Sequence, residues 1–264
     1  GESLHFRAGL WSPLTTVCER MRLPVFTFTD FGLAGPYLGQ VEERVYRIDP
    51  ALRVIHLVAD APAFSPLEAG HLLAAVASHT GEGVFLAVVD PGVGGRRKAI
   101  VVDCGSQWFV GPDNGLFAAL LARRPDARVF RIMHEPEVLS ETFHGRDLFA
   151  PVAARLAGGR FVALEAVEAP DYAADTAPSH CVVYRDHYGN LMTSIRGADV
   201  DEQQALSLGV DTISHAPRFE AVAAGEAFWY VNSIGLVEVA VNQGNAAARL
   251  QADVGSSVRI AGQC

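Results

Sequence analysis

The segment VFLAVVDPGVGG, Val84–Gly95, decides the fold class of this chain. Its first half is an unbroken apolar run, typical of a central strand of a parallel sheet that is buried on both faces. Its second half holds Asp90, Pro91 and several glycines, which favour a sharp turn and let a ligand approach the backbone closely. Because ligands of open α/β sheets bind at loops that leave the strand ends, we expect a functional site directly after this strand.

Segments with strand and helix character alternate on both sides of that run. The predicted strands are Val25–Thr29, Val54–Val58, Ile100–Cys104, Gln107–Val110 and Arg128–Ile132, with the third and fourth forming a hairpin. The predicted helices begin at Tyr37, Pro66, Leu116 and Arg146 and end near Tyr46, Val76, Ala122 and Ala157. This alternation predicts an N-terminal three-layer α/β domain with a largely parallel sheet over residues 24–172.

Beyond Pro170 the sequence changes to short strand candidates separated by Gly, Asn and Asp. The candidates are Val182–Tyr184, Leu191–Ser194, Ala227–Val231, Leu236–Ala240 and Val258–Ile260. No helix of any length is predicted between them. The pattern therefore indicates a small C-terminal all-β barrel or sandwich domain over residues 178–264, and the polar stretch 171–179 is the expected domain boundary.

The composition argues against nucleic acid and anionic membranes as partners. Half of the 264 residues are apolar, and the formal net charge is −9. The longest basic run, Arg96–Lys98, is too short for the clustered cationic face that nucleic acid or an anionic membrane requires. The four cysteines lie far apart without a CxxC pair, so we expect reduced, structural thiols. With no signal peptide in residues 1–24 and no span of membrane length, a cytoplasmic protein is expected.

Three charged or titratable side chains near predicted strand ends are candidate catalytic residues. They are Asp90, Arg97 and His144, the last followed by Gly145, which leaves room for a ligand. Asp, Arg and His are costly to bury unless they satisfy one another or a ligand. Each also has an ordinary structural interpretation, as a turn cap, a surface arginine or a structural histidine.

Further polar residues are candidates for binding. Asp30, in the TDFG motif after the first strand, can accept hydrogen bonds from ribose hydroxyls or simply cap a turn. In the second domain, Asn190 of DHYGNL and Ser233 and Asn242 of VNSIGLVEVAVNQGNAA can bind a base edge or an amino-acid head group. Tight turns between strands would explain each of them individually. The segment GPDNGL, with Asp113 or Asn114 capping a helix, is interpreted as structural.

Taken in order, these motifs resemble one family over about Val25 to Leu250. TDFG, VVDPGVG with Arg97, PDNG, FHGRD, YGN and VNSxGxxEVAVNQGNAA are similar to the adenosine-forming S-adenosylmethionine (SAM) hydrolases, also called SAM hydroxide adenosyltransferases. That family is homologous to the SAM-dependent fluorinase and chlorinase. The resemblance implies an α/β domain followed by a β-barrel, assembled as a homotrimer with SAM between the first domain of one subunit and the second domain of the next.

The resemblance also implies a reaction and a site. Water attacks C5′ of the ribose and releases adenosine and methionine, with SAM as substrate and neither cofactor nor metal. By carry-over, the hydrolytic residues are Asp90, Arg97 and His144. The implied substrate contacts are Asp30 with the ribose, Asn190 with the adenine, Ser233 with the methionine amine, and Asn242 and Phe143. Which group accepts the proton from water stays open.

One departure and three alternatives remain. Many family members carry an acid shortly after the TDFG aspartate, thought to contact the methionine ammonium, and here Gly35 and Pro36 stand there.

The alternatives are a halogenase attacking the same carbon, a protein that binds SAM or adenosine without turnover, and a metal-dependent hydrolase using Asp30, Asp90, His144 and Asp147. An acid beside the nucleophile pocket would repel a halide, and no HxH or HExxH spacing supports the metal site.

Overall fold

The computed structural model describes residues 22–170 and 180–261. Its N-terminal part is built on a sheet of β1 (Val25–Thr29), β2 (Val54–Val58), β3 (Gly83–Val88), β4 (Ala99–Asp103), β5 (Gln107–Pro112), β6 (Arg128–Ile132) and β7 (Leu164–Val167). The strand order is β2-β1-β3-β5-β4-β6-β7. The first four strands in this order are parallel, and β4, β6 and β7 add antiparallel pairings. The predicted α/β class is confirmed.

Helices cover both faces of the sheet. They are α1 (Tyr37–Ile48), α2 (Pro66–Ser78), α3 (Ala118–Arg123) and α4 (Ala150–Ala157). Apolar residues of α2 and α3 pack on one face, and those of α1 and α4 pack on the other. Every residue of β3 is buried, and its side chains alternate between these two cores, with Phe85 stacked on Phe109 at 4.6 Å between ring centroids. The apolar run thus forms the predicted central strand.

The helix expected from Arg146 to Ala157 differs at its start. Gly145–Phe149 forms one π-helical turn, and regular α-helix begins at Ala150. Pro151 lacks a backbone N–H, so the usual hydrogen bond to the preceding turn is missing and the wider π turn is accommodated there. Strand β7 was not predicted, since its sequence LEAV is short and half of it is exposed.

The C-terminal part consists of two antiparallel sheets. One, in the order β12-β13-β9-β8, contains β8 (Val182–Arg185), β9 (Leu191–Arg196), β12 (Ala227–Val231) and β13 (Leu236–Val241). The other, in the order β11-β10-β14, contains β10 (Leu206–Leu208), β11 (Asp211–Ile213) and β14 (Val258–Ile260). Both sheets enclose a core around the fully buried Trp229. The predicted β character of this part is confirmed, although the three-residue strands β10 and β11 were not predicted.

A short helix, α5 (Ala246–Leu250), also departs from the expectation that this part has no helix. It begins because the Asn245 side chain accepts a hydrogen bond from the backbone N–H of Ala248 at 2.8 Å. Within the described residues, Cys104 and Cys181 are free thiols. No helix in residues 22–170 or 180–261 is both long and apolar enough to cross a membrane.

The two parts contact each other through α2 and the four-stranded sheet. Ala75 of α2 packs against Val183 and Leu236. The Tyr184 hydroxyl donates a hydrogen bond to Asp60 Oδ2 at 2.9 Å. The predicted boundary at residues 171–179 lies outside the described residues.

Candidate active site

The candidate residues of the N-terminal part meet where parallel strands end. Asp30 follows β1, Asp90 follows β3, Arg97 precedes β4, and His144 precedes the π turn. Because the carboxyl ends of β1 and β3 lie side by side, the two loops open at the same edge of the sheet. The structure therefore brings together these four residues, and the fifth candidate of this half of the chain, Phe143, lines the same cleft.

Asp90 and Arg97 form a bidentate ion pair. Arg97 Nε lies 3.0 Å from both carboxylate oxygens, and Arg97 Nη2 lies 2.5 Å from Oδ2. Their side chains are only 5% and 10% exposed, so the attraction between the two charges has to offset the cost of removing both from water. The guanidinium also lies over the Phe149 ring, 5.1 Å from its centroid. Arg97 is therefore not the ordinary surface arginine of the alternative interpretation.

His144 is the next link of the same network. Its Nδ1 lies 2.8 Å from Arg97 Nη2. A guanidinium can only donate, so Nδ1 must accept, which makes the imidazole neutral with its proton on Nε2. Burial, and then the positive charge of Arg97, lower the pKa of His144 below its ordinary value. His144 is thus a neutral ring that presents an N–H donor from Nε2.

Asp30 faces the same cleft. Burial is the main cause that raises the pKa of its carboxyl, and the negative charge of Asp90 adds to the effect. The cleft has a cavity volume of about 110 Å³. Its walls combine acids, an imidazole and aromatic rings; the polar and aromatic residues lining it are Asp30, Phe31, Phe64, Asp90, Thr142, Phe143 and His144.

Phe143 belongs to an aromatic wall. Its ring makes edge contacts with Phe31 and Tyr37, with centroids 5.6 and 5.4 Å apart. Gly145 allows this packing, because a Cβ at that position would lie 2.9 Å from the Phe31 ring. The small residue after His144 therefore makes room for protein side chains beside the cleft, where sequence analysis expected it to make room for a ligand.

Phe64 also lines the cleft and was not predicted to lie there. This residue lies in the loop between two prolines after β2, has a left-handed backbone with φ of 62°, and is 80% exposed. Its backbone lowers the pKa of the nearby Asp30 carboxyl, against the larger effect of burial. Non-glycine residues with a left-handed backbone cluster at functional sites. The Pro62 and Pro66 that flank it were the available signal.

Other motif residues have structural roles here. The Asp147 carboxylate accepts hydrogen bonds from Arg146 at 2.7 and 2.8 Å and from Arg44 at 3.4 Å. The Asn114 side chain donates to the carbonyl of Val89 and accepts from the N–H of Leu116. Within residues 22–170 and 180–261, no group of three or more His, Cys, Asp or Glu is arranged to hold a metal ion.

The C-terminal candidates do not line this cleft within one chain. Asn190 is buried and donates from Nδ2 to Asp186 Oδ2 at 2.9 Å. Ser233 is exposed in the turn between β12 and β13. Asn242 donates from Nδ2 to the carbonyl of Val222 at 2.8 Å and so ties two loops together.

Comparison with known proteins defines the class. The family model described as the SAM hydroxide adenosyltransferase N-terminal domain matches residues 25–167, and the model of the corresponding C-terminal domain matches residues 180–259. The two matches correspond to the α/β part and the antiparallel β part of the structure. The chain belongs to the SAM hydroxide adenosyltransferase family.

Relatives cover nearly the full described length. The (R)-S-adenosyl-L-methionine hydrolase of Salinispora arenicola is 35% identical over 88% of this chain and 95% of its own. The hydrolase of the same name from Thermus thermophilus is 34% identical over 90% of this chain and 99% of its own. A conserved protein from Thermotoga maritima, solved by crystallography, shares the fold with a TM-score of 0.75 and 30% identity over 89% of this chain and 99% of that chain.

Proposed function

We propose that this protein hydrolyses SAM to adenosine and methionine by attack of water on C5′ of the ribose. The observation that carries the proposal is the buried Asp90–Arg97–His144 network beside Asp30, in a chain that belongs to this family. Relatives over most of the length are named SAM hydrolases, which supports the same substrate.

The chemistry requires a positioned nucleophile more than an activated leaving group. The sulfonium of SAM departs as a neutral thioether, so the main task is to hold one water in line with C5′, at about 3 Å. His144 donates from Nε2 to the water oxygen. Asp90, which can only accept while ionised, takes the hydrogen bond from the water and is the proton acceptor, because Nδ1 of His144 is already occupied by Arg97.

Arg97 and Asp30 have separate tasks in this proposal. The fixed charge of Arg97 favours hydroxide character in the adjacent water and holds both Asp90 and His144 in place. Asp30 accepts hydrogen bonds from the ribose hydroxyls, and Phe143 covers the sugar from the aromatic wall. These contacts would place C5′ over the network.

The proposal includes a homotrimer in which a second subunit completes the site. A cavity of about 110 Å³ is smaller than the ~300–1,000 Å³ of most ligand pockets, so one chain encloses only part of the substrate. Asn190, Ser233 and Asn242 are the candidates that a neighbouring subunit would contribute. We expect light scattering to give three times the chain mass of 28.2 kDa. A monomer that is fully active at high dilution would contradict the shared site.

The alternatives fit the site less well. A halide beside the Asp90 carboxylate would be repelled, which favours water over chloride or fluoride as the nucleophile. A metal site using Asp147 would compete with the two arginines that already bind its carboxylate. Activity that is insensitive to a chelator would count against the metal alternative.

The test is incubation of the purified protein with SAM in ¹⁸O-water without halide, followed by mass spectrometry. Methionine together with adenosine that carries ¹⁸O at the 5′ position would support the proposal. Intact SAM, with 5′-chloroadenosine formed only after chloride is added, would contradict the proposal and support the halogenase alternative. Binding of SAM without turnover in either condition would leave a SAM-binding protein.

A further inference from the structure

The loop that carries Phe64 joins β2 to α2 and spans residues 59–65; we refer to it as the Phe64 loop. Its start is fixed to the loop after β1, since the carbonyl of Ala59 accepts a hydrogen bond from the N–H of Gly32 at 2.6 Å. Its second half reaches the cleft, where the exposed Phe64 side chain and Asp30 line the same cavity. The position of this wall of the cleft therefore depends on what holds the loop between these two points.

A side chain from the C-terminal part holds the middle of the Phe64 loop. The hydroxyl of Tyr184, on β8, donates to Asp60 Oδ2 at 2.9 Å. The Tyr184 ring packs against the core between the sheet and α2, which includes the buried Ala61 next to Asp60. Because packing restricts the ring, forming the bond costs little further conformational entropy. Burial, and then the bond to Asp60, raise the pKa of Tyr184 above its ordinary value, so the phenol remains a hydrogen-bond donor even in alkaline solution.

The bond acts on the cleft through a short stretch of backbone. Asp60 lies four residues before Phe64, and Pro62 between them restricts the chain. Phe64 itself has a left-handed backbone with φ of 62°, which is unfavourable for a bulky side chain and persists only where the surrounding structure fixes it. Anchoring of the loop at Asp60 contributes to that constraint, so a displacement at Asp60 would reach Phe64.

We propose that Tyr184 is a positioning residue whose hydrogen bond to Asp60 fixes the Phe64 loop against the cleft, so that the β part of a chain stabilises the substrate-binding wall of that same chain. The inference rests on the proposed function, in which the cleft binds SAM. It adds a role within one chain to the contribution that a neighbouring subunit is proposed to make. Tyr184 does not line the cleft of its own chain and acts only through the loop.

The expected effect is on substrate binding rather than on the chemical step, because the Phe64 loop does not contain Asp90, Arg97 or His144. Tyr184→Phe removes only the hydroxyl and keeps the packed ring. We expect KM for SAM to rise about two- to tenfold, the range for loss of one hydrogen bond, while kcat stays within about twofold of wild type. A loss of folded protein would lower the apparent kcat and leave KM unchanged, so it cannot imitate this result.

Two further variants test the partner of Tyr184. Asp60→Asn keeps an oxygen that can accept from the hydroxyl, so its KM should stay within about twofold of wild type. Asp60→Ala removes the acceptor and should raise KM as Tyr184→Phe does. Combining Asp60→Ala with Tyr184→Phe should add little to either single change, because both remove the same bond.

Hydrogen exchange followed by mass spectrometry tests the positioning without any need for turnover. In Tyr184→Phe, amides of the Phe64 loop should exchange at least about threefold faster, while those of the central strand β3 stay unchanged. The matched control is Arg185→Ala, the next residue of β8, whose side chain donates to Asp253 Oδ2 at 3.0 Å within the C-terminal part. This variant should keep the wild-type KM and the wild-type exchange of the loop.

Three results would overturn the inference. They are wild-type loop exchange or wild-type KM in Tyr184→Phe, an equal rise of KM in Arg185→Ala, and effects of Tyr184→Phe and Asp60→Ala that add in the double variant. Faster loop exchange in Tyr184→Phe, with a wild type that neither binds nor hydrolyses SAM, would support the role of Tyr184 in holding the loop and contradict the proposed function. The two failures are therefore distinguishable.

Discussion

At the scale of single residues, the donor-only chemistry of Arg97 determines the state of its two partners. One guanidinium satisfies both oxygens of Asp90 and also donates to Nδ1 of His144. Lysine presents a point charge without this fork and cannot make the same set of bonds. The neutral His144 ring, the buried carboxylate and the fixed positive charge are therefore one unit.

The first prediction concerns this unit. We expect Asp90→Ala and Arg97→Ala to lose about 10²-fold or more in turnover while SAM binding is largely retained, because the network acts on the water rather than on the bulk of the substrate. The measurements are steady-state kinetics and calorimetric SAM affinity. Arg96→Ala, an exposed neighbour, is the control and should keep wild-type rates. Wild-type turnover in both network variants would contradict their assignment.

The second prediction concerns the His144 pKa, which burial and then Arg97 lower below 6.5. Removing the guanidinium in Arg97→Gln should raise that pKa, since one of its two lowering causes is lost. NMR titration of labelled histidine in both proteins measures this without any need for activity. In the wild type, turnover should fall as pH decreases through the His144 pKa, because protonation breaks the bond from Arg97. An unchanged His144 pKa in Arg97→Gln would argue against the contact.

At the scale of elements, the site depends on how the π turn packs against the loop that follows β1. His144 immediately precedes that turn, and Gly145 lets Phe31 from the β1 loop approach it closely. Pro151, just after the turn, has no backbone N–H to donate, and this accommodates the wider turn. Its position relative to the sheet, and with it the direction of His144, comes from packing in the core that contains Phe149.

The third prediction tests this element. Gly145→Ala adds a methyl 2.9 Å from the Phe31 ring and 3.3 Å from the Phe143 ring, so the turn must shift and His144 with it. We expect turnover to fall about tenfold or more, by analogy with small displacements of catalytic groups elsewhere. Gly39→Ala in α1 is the control, since its Cβ meets nothing within 4 Å and alanine favours helix there. Equal activity in both variants would show that the turn tolerates the shift.

At the scale of the whole molecule, α2 links the two parts and carries a poorly hydrated histidine. His71 lies on this helix with Nδ1 buried and without a hydrogen-bond partner in the described part of the chain. Burial, followed by the charges of Arg123 and His180, lowers its pKa from 6.5 to about 4. The neutral ring is thus part of the folded state.

The fourth prediction follows from that shift. Between pH 6.5 and about 4, the unfolded chain protonates His71 while the folded protein keeps it neutral, so stability falls as pH decreases through this window. The contribution is at most about 1.4 kcal/mol per pH unit, and above pH 6.5 it no longer varies. Urea unfolding of wild type and His71→Leu at several pH values gives the difference. Parallel curves for the two proteins would contradict the buried neutral ring.

Several parts of the fold could be predicted because their signals are local. Val25–Thr29 and Arg128–Ile132 are strands with the predicted bounds, and the strand predicted from the run Val84–Val89 is found at Gly83–Val88. The strands β7, β10 and β11 were missed because three or four residues carry too little periodicity, and they are held by their partners in the sheet.

The sequence by itself determined the class of the protein. Hydrophobic periodicity and turn preferences act between near neighbours in the sequence. They therefore predict the succession of strands and helices along the chain, and the motifs that contain Asp30, Asp90, Arg97 and His144 can be recognised in it. Only the tertiary structure decided the tautomer of His144, the orientation of the Asn190 amide and the presence of Phe64 at the cleft. These depend on distances of a few ångströms between residues far apart in the sequence, and hydrogen bonding and burial change steeply over such distances.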